Sequence, residues 1–214
     1  MKRYLTSTAL PDWWDPLAER AARVKGREIT RFLPPKDGDA TPSAVLVLLA
    51  EGGDGPDVLL MQRAANLRHH AGQPSFPGGV TEPEDADPIA TALREANEEV
   101  GLDPTSVTVV TTLPDLWINV TNYQVTPVLA WWHAAHPILS IDPGEVAAVV
   151  RTPLRELADP RRRVRARHSS GYIGPGFDLD GMVVWGFTAG VLSTILRLGG
   201  WEQPWEPGRL HDLE

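Results

Sequence analysis

Residues 87–101 read DPIATALREANEEVG. Asp87 can accept hydrogen bonds at the start of a helix, Pro88 suits its first position, and Gly101 suits the left-handed residue beyond its end. The spacing therefore predicts a helix over Pro88–Val100. At about 100° per residue, Ile89, Leu93, Ala96 and Val100 form one apolar stripe that must face a core. Glu95, Glu98 and Glu99, at i, i+3 and i+4, share a different face. Like charges so spaced repel by about 0.2–0.5 kcal/mol per pair, and on an arbitrary helix they are no more than a solvated acidic face. Their place on this helix argues for more. Acidic groups favour a helix N-terminus, yet these lie in the last turns, where the macrodipole opposes them. A hard divalent cation, Mg2+ or Mn2+, would cancel the repulsion and keep coordination positions open for phosphate oxygens.

Upstream, Ser43–Ala50 (SAVLVLLA) is an apolar run bounded by turn residues and reads as a buried strand. A Gly-rich turn, Glu51–Pro56, joins it to a partner strand at Val58–Gln62 as a hairpin. Arg63–Gly79 has no period and holds Gly72, Pro74, Pro77, Gly78 and Gly79, which predicts a long ordered loop of the kind that carries function. A first helix is expected over Pro16–Val24. Downstream, strands are expected at Val107–Thr112, Tyr123–Trp132, Val146–Arg151 and Arg163–Arg167, a short helix at Thr152–Ala158, and a buried helix at Trp185–Leu198. This intermixing gives an α/β class with a mixed sheet. The chain divides into an N-terminal helical extension packed on the domain (1–40), the main domain (41–198) and an irregular tail rich in Pro, Trp and charge (199–214).

The 214 residues suit one domain with terminal additions. The absence of cysteine excludes disulfides, thiolate metal sites and cysteine nucleophiles. A net charge of −8 argues against nucleic acid as a partner, while leaving room for a local basic pocket that takes an anionic small molecule. No apolar signal core follows Met1, and Met182–Leu198 is too short and interrupted for a membrane span, so a cytoplasmic enzyme with no membrane partner is expected. The basic run Arg161, Arg162, Arg163, Arg165, Arg167 and His168 reads as a solvated strand edge, with a nucleic-acid patch or a place beside a partner subunit as the other readings. Trp13, Trp14, Trp131, Trp132, Trp201 and Trp205 suit either a homodimer interface or the cover of a sheet face, and both readings stay open.

From Gly79 through Asp85 to Arg94-Glu95-Ala96-Asn97-Glu98-Glu99-Val100-Gly101-Leu102, the chain resembles the Nudix box, a glycine and an acidic residue followed by R-E-U-x-E-E-x-G-U with U apolar. Asp85 stands where Glu is usual, and the span from Asp85 to Arg94 is one residue longer than the general pattern. The resemblance implies the Nudix α/β/α sandwich, with residues 41–198 as the hydrolase domain, and hydrolysis of a nucleoside diphosphate linked to another group. Carried over, Glu95 and Glu99 look like the principal metal ligands, with Glu98 as a third ligand or the general base. Arg94 looks like the residue that holds Glu95 in place, and Gly79 like a backbone carbonyl ligand. Glu145, after Pro143-Gly144, is the other general-base candidate.

The preceding stretch, Leu59–Gly79 (LLMQRAANLRHHAGQPSFPGG), resembles the motif of the coenzyme A pyrophosphatase branch at Leu59, Leu60, Arg63, Ala64, Arg68, Gly72, Phe76, Pro77, Gly78 and Gly79. Met61 replaces a Thr frequent there, and the extra residue before Arg94 is common in this branch. The resemblance implies cleavage of coenzyme A or its thioesters to 3′,5′-ADP and 4′-phosphopantetheine or its acyl derivative. NADH, ADP-ribose or a dinucleotide as substrate, or a non-catalytic nucleotide sensor, are the alternatives. Coenzyme A carries a separate 3′-phosphate, so cations besides the metal are needed, and Arg63, Arg68, His69 and His70 are the candidates. Gly78 and Phe76 complete the expected substrate-binding set, Phe76 doubling as a core anchor for the loop.

Overall fold

Two helices precede the sheet, α1 (Trp14–Ala21) and the single turn α2 (Gly26–Ile29). The computed structural model describes residues 9–35, 38–66, 72–180 and 182–213. The apolar run becomes β1 (Thr41–Gly52), which turns back as β2 (Gly55–Arg63). This hairpin pairs only near its turn, from Gly52↔Gly55 to Leu49↔Val58. Beyond that the strands part, and the expected loop fills the gap with two short strands. β3 (Pro74–Ser75) pairs with β2, and β4 (Gly78–Val80) pairs with β1.

The helix α3 (Pro88–Val100) has the predicted bounds: the Asp87 carboxylate accepts from the Ala90 N–H at 2.9 Å, and Gly101 is left-handed at φ 68°. β5 (Val107–Thr112), β6 (Leu116–Ile118), β7 (Tyr123–Trp132) and β8 (Val146–Pro153) complete the main sheet. β7 runs parallel to β1 from Thr41↔Tyr123 to Ala50↔Trp132, while β5, β6 and β8 are antiparallel to their neighbours, so the sheet is mixed as expected. β8 continues through Pro153, and α4 (Leu154–Ala158) starts later than predicted. Then come β9 (Arg163–Arg167), β10 (Ile173–Leu179), β11 (Met182–Val184), α5 (Gly186–Gly199) and β12 (Leu210–Asp212).

Strand alternation sorts the core into two layers. Leu46, Leu48, Leu59 and Met61 face the α3 residues Ala92, Leu93, Ala96 and Val100. Val47, Leu49, Val58 and Leu60 face Trp14 and Leu17 of α1 and Val191, Leu192 and Ile195 of α5. The result is an α/β/α sandwich.

Three further expectations need correction. The first helix stops at Ala21, although Val24 is still buried. The tail is not wholly irregular, because β12 pairs in parallel with β9 and closes a second sheet of order β11-β10-β9-β12. β9 is therefore interior, not a solvated strand edge: Arg163 is 3% exposed, its guanidinium 4.5 Å from the Phe177 ring centroid and 4.8 Å from that of Trp205. Arg161, Arg162 and Arg167 are ion-paired with Asp159, Asp180 and Asp212. The tryptophans meet other side chains of their own chain: Trp13 packs on Trp14 and Trp201, and Trp131 and Trp132 are buried. Among the described residues, no helix is long and apolar enough to cross a membrane.

Candidate active site

The parted hairpin explains how the acidic helix meets the loop. β4 is wedged against β1, with Gly78 opposite Val45 and Gly79 opposite Ala44. A Cβ on Gly78 would run into the Ala44 carbonyl and the Val45 Cα, so only glycine lets the two backbones approach this closely. The Gly78 N–H is thereby aimed at α3, where it donates to Glu99 Oε2 at 2.9 Å. A Cβ on Gly79 would overlap the Glu95 carboxylate, which lies directly against the loop backbone.

The three glutamates are unequal. Glu99 is 6% exposed, and burial pushes its carboxyl up to about 8 against the opposing pull of the Gly78 bond. The charges of Glu95 and Glu145 raise it further, while that of Arg63 lowers it. Glu95 has 17% of its side chain exposed, and burial raises its carboxyl even though Arg94 sits 3.0 Å away. Glu98 is 55% exposed and lies 2.9 Å from Arg94.

Arg94 is a hub. Besides Glu95 and Glu98, it makes a two-point contact with Asp85 (Nε–Oδ1 3.1 Å, Nη2–Oδ2 3.0 Å) and donates to the Val80 carbonyl at 3.0 Å. The guanidinium holds the Asp85 carboxyl down at about 2. Sequence reasoning connected Arg94 to Glu95 but missed Asp85 and Val80 as its anchors. The acidic residue nine positions before Arg94 was the available signal. Glu82 adds its charge at 3.8 Å and its N–H to Asp85 Oδ2 at 2.9 Å.

Other candidates divide. Glu145 is exposed at the mouth of β8; its carbonyl accepts from the Ala64 N–H at 2.8 Å, and its charge reaches Glu99. Arg63, at the end of β2, also acts on Glu99. Phe76 is corrected: it is 2% exposed in the layer shared with α1 and α5, where it anchors the loop and offers no face to a ligand. Gly78 has already given its N–H to Glu99. Arg68, His69 and His70 lie outside the described residues.

These groups suit a hard cation by their chemistry. Buried carboxylates such as Glu95 and Glu99 stay ionised in low dielectric only beside a positive charge, and the Gly79 backbone lies against one of them. Among the described residues, no three acidic or histidine side chains converge at ligand distance, and Arg94 engages both Glu95 and Glu98.

The α/β/α sandwich thus sets partly buried carboxylates against a glycine loop. A family profile described as the NUDIX domain matches residues 40–171. The chain belongs to the Nudix family, whose members act on nucleoside diphosphate derivatives with the help of divalent cations. It is 40% identical over 159 residues to "Nudix hydrolase 15, mitochondrial" of Arabidopsis thaliana, a match covering 70% of this chain and 55% of the plant protein. It is 39% identical over 155 residues to "Uncharacterized Nudix hydrolase NudL" of Citrobacter koseri, covering 67% of this chain and 76% of that one. The chain thus spans only about half the length of the plant relative. Among solved structures, the Nudix hydrolase RenU of M. smegmatis shares the fold, with a TM-score of 0.54 at 19% identity over 82% of this chain and 98% of that one.

Proposed function

We propose that the protein hydrolyses the pyrophosphate bond of coenzyme A or its thioesters, giving 3′,5′-ADP and 4′-phosphopantetheine or its acyl derivative. The observation that carries this reading is the stretch Leu59–Gly79, whose branch-type residues end on the two glycines that meet Glu99 and Glu95. Glu95, Glu99 and the Gly79 carbonyl would hold Mg2+ or Mn2+, with Glu98 joining once released from Arg94. A divalent cation there supplies charge neutralisation for the phosphate oxygens.

In the reaction, water forms a new O–P bond, the bridging P–O bond breaks, and the proton passes to a carboxylate. Glu98 is engaged with Arg94 at 2.9 Å, whereas Glu145 is exposed on its loop, which favours Glu145 as the base. Arg94, braced by Asp85, keeps Glu95 against Gly79. Arg63 and Arg68 are assigned to the substrate phosphates.

The test is a panel of coenzyme A, acetyl-coenzyme A, NADH, ADP-ribose and diadenosine polyphosphates with Mg2+ or Mn2+, products read by chromatography. Preferred release of 3′,5′-ADP is expected. Cleavage of NADH alone would overturn the coenzyme A assignment, and tight binding without turnover would make the protein a sensor.

A further inference from the structure

Two buried polar atoms on β2 and β3 have no hydrogen-bond partner among the described residues: Arg63 Nε and Ser75 Oγ. Strand alternation puts both on one face. Along β2, Leu59 and Met61 face α3, so Arg63, two residues further, does too. Ser75 stands directly opposite Met61, and opposite residues of an antiparallel pair share a face. Phe76, the next residue, accordingly enters the core on the other side. Arg63 and Ser75 are thus diagonal neighbours, with Cα atoms roughly 7–8 Å apart.

The third strand at this level is adapted to them. Gln62 pairs with Ala148 but Arg63 with Val146, so Ala147 is an extra residue in β8. Such a bulge re-aims the side chains at its level. It brings the Glu145 carbonyl onto the Ala64 N–H and keeps Val146 and Arg63 facing α3 together. Gly78, three residues after Ser75, holds Glu99.

A buried donor with no acceptor is costly and rare. Here an obligate donor, whose charge acts on Glu99, and a hydroxyl able to donate are diagonal neighbours on one face. A phosphoryl oxygen complements both, because the Arg63 guanidinium can only donate and the Ser75 hydroxyl can donate beside it, in a charge-assisted pair to one anionic group. We propose that Ser75 and Arg63 together form a phosphoryl-oxygen subsite for the substrate's pyrophosphate, with Ser75 a binding residue whose hydroxyl donates to the same phosphoryl group as the Arg63 guanidinium. This rests on pyrophosphate hydrolysis, which is common to the family, and not on coenzyme A as the substrate.

Ser75→Ala and Arg63→Lys test it in the full chain with Mg2+ present. The readouts are kcat/KM on whichever nucleoside diphosphate derivative the wild type cleaves, the Kd of non-hydrolysable imidodiphosphate by calorimetry, and Tm. Each variant is expected to lose about ten- to hundredfold in both kcat/KM and imidodiphosphate affinity. The Tm of Ser75→Ala should hold or rise by roughly 2–4 °C, since a stranded hydroxyl is gone. Wild-type kcat/KM and Kd in both variants, or no imidodiphosphate binding by the wild type, overturns the proposal. Failure of the coenzyme A assignment leaves this test intact, because it uses any substrate that is turned over.

Discussion

Arg94 spends its guanidinium on the chain that carries it: Asp85 takes two of its donor positions, Val80 a third, and Glu95 and Glu98 lie on the remaining edge. Replacing Asp85 with Asn leaves that charge without its main partner, at an expected cost of about 1–3 kcal/mol near neutral pH. The pH dependence has a definite sign. The Asp85 carboxyl is lowered from 3.8 to about 2 by Arg94, so its contribution is full above 3.8 and is lost as pH falls through about 2. Urea midpoints of wild type and Asp85→Asn should therefore differ at neutral pH and converge through that window; parallel curves would refute the assignment. At Glu99 the expectation differs, because burial disfavours its charge. Glu99→Gln should leave the metal-free Tm unchanged or higher while lowering kcat/KM by on the order of a hundredfold or more, beyond the effect of a residue that only orients a ligand. Full Mg2+-dependent turnover in the folded variant would remove Glu99 from the site.

At the scale of elements, the two loop glycines separate folding from chemistry. A methyl on Gly78 meets backbone atoms of β1, which cannot yield, whereas one on Gly79 meets the far end of a glutamate, which can. Gly78→Ala should cost about 2–4 kcal/mol by chemical denaturation, since it forces β4 off β1. Gly79→Ala should cost much less stability and yet reduce turnover at least tenfold by displacing Glu95. The reverse pattern would mean that the β4 register is assigned to the wrong residues. α3 was legible because its signals are local: Asp87, Pro88, the stripe from Ile89 to Val100 and Gly101 all lie within one segment. The strands β3 and β4 were not, because Pro74–Ser75 and Gly78–Val80 are extended only by pairing with β2 and β1. The carboxylates could be named from their spacing, but their ranking could not. Burial of Glu99 depends on Gly78, 21 positions earlier in the chain.

For the whole molecule, the second sheet was the least legible part. Arg163–Arg167 has the charge of an edge strand, and only the arrival of Leu210–Asp212 makes it interior. The signal for Arg163 lay in Phe177 and Trp205, aromatic residues too distant in sequence to be matched with it. Trp205→Ala removes one ring from this cation and should destabilise the protein by about 2 kcal/mol without changing KM; an unchanged urea midpoint would show that the ring contact contributes nothing. The main sheet has its own long-range dependence. Every β1 residue from Thr41 to Ala50 finds its β7 partner 82 positions further along, from Tyr123 to Trp132. The chain must therefore close a large loop before its central strands gain anything from pairing, which slows folding. Because Gly78 and Gly79 reach the glutamates through β1, and Glu145 through β2, catalytic competence should return late in refolding. Helical signal should come first, with an interval in which α3 is formed but its carboxylates have nothing to hold.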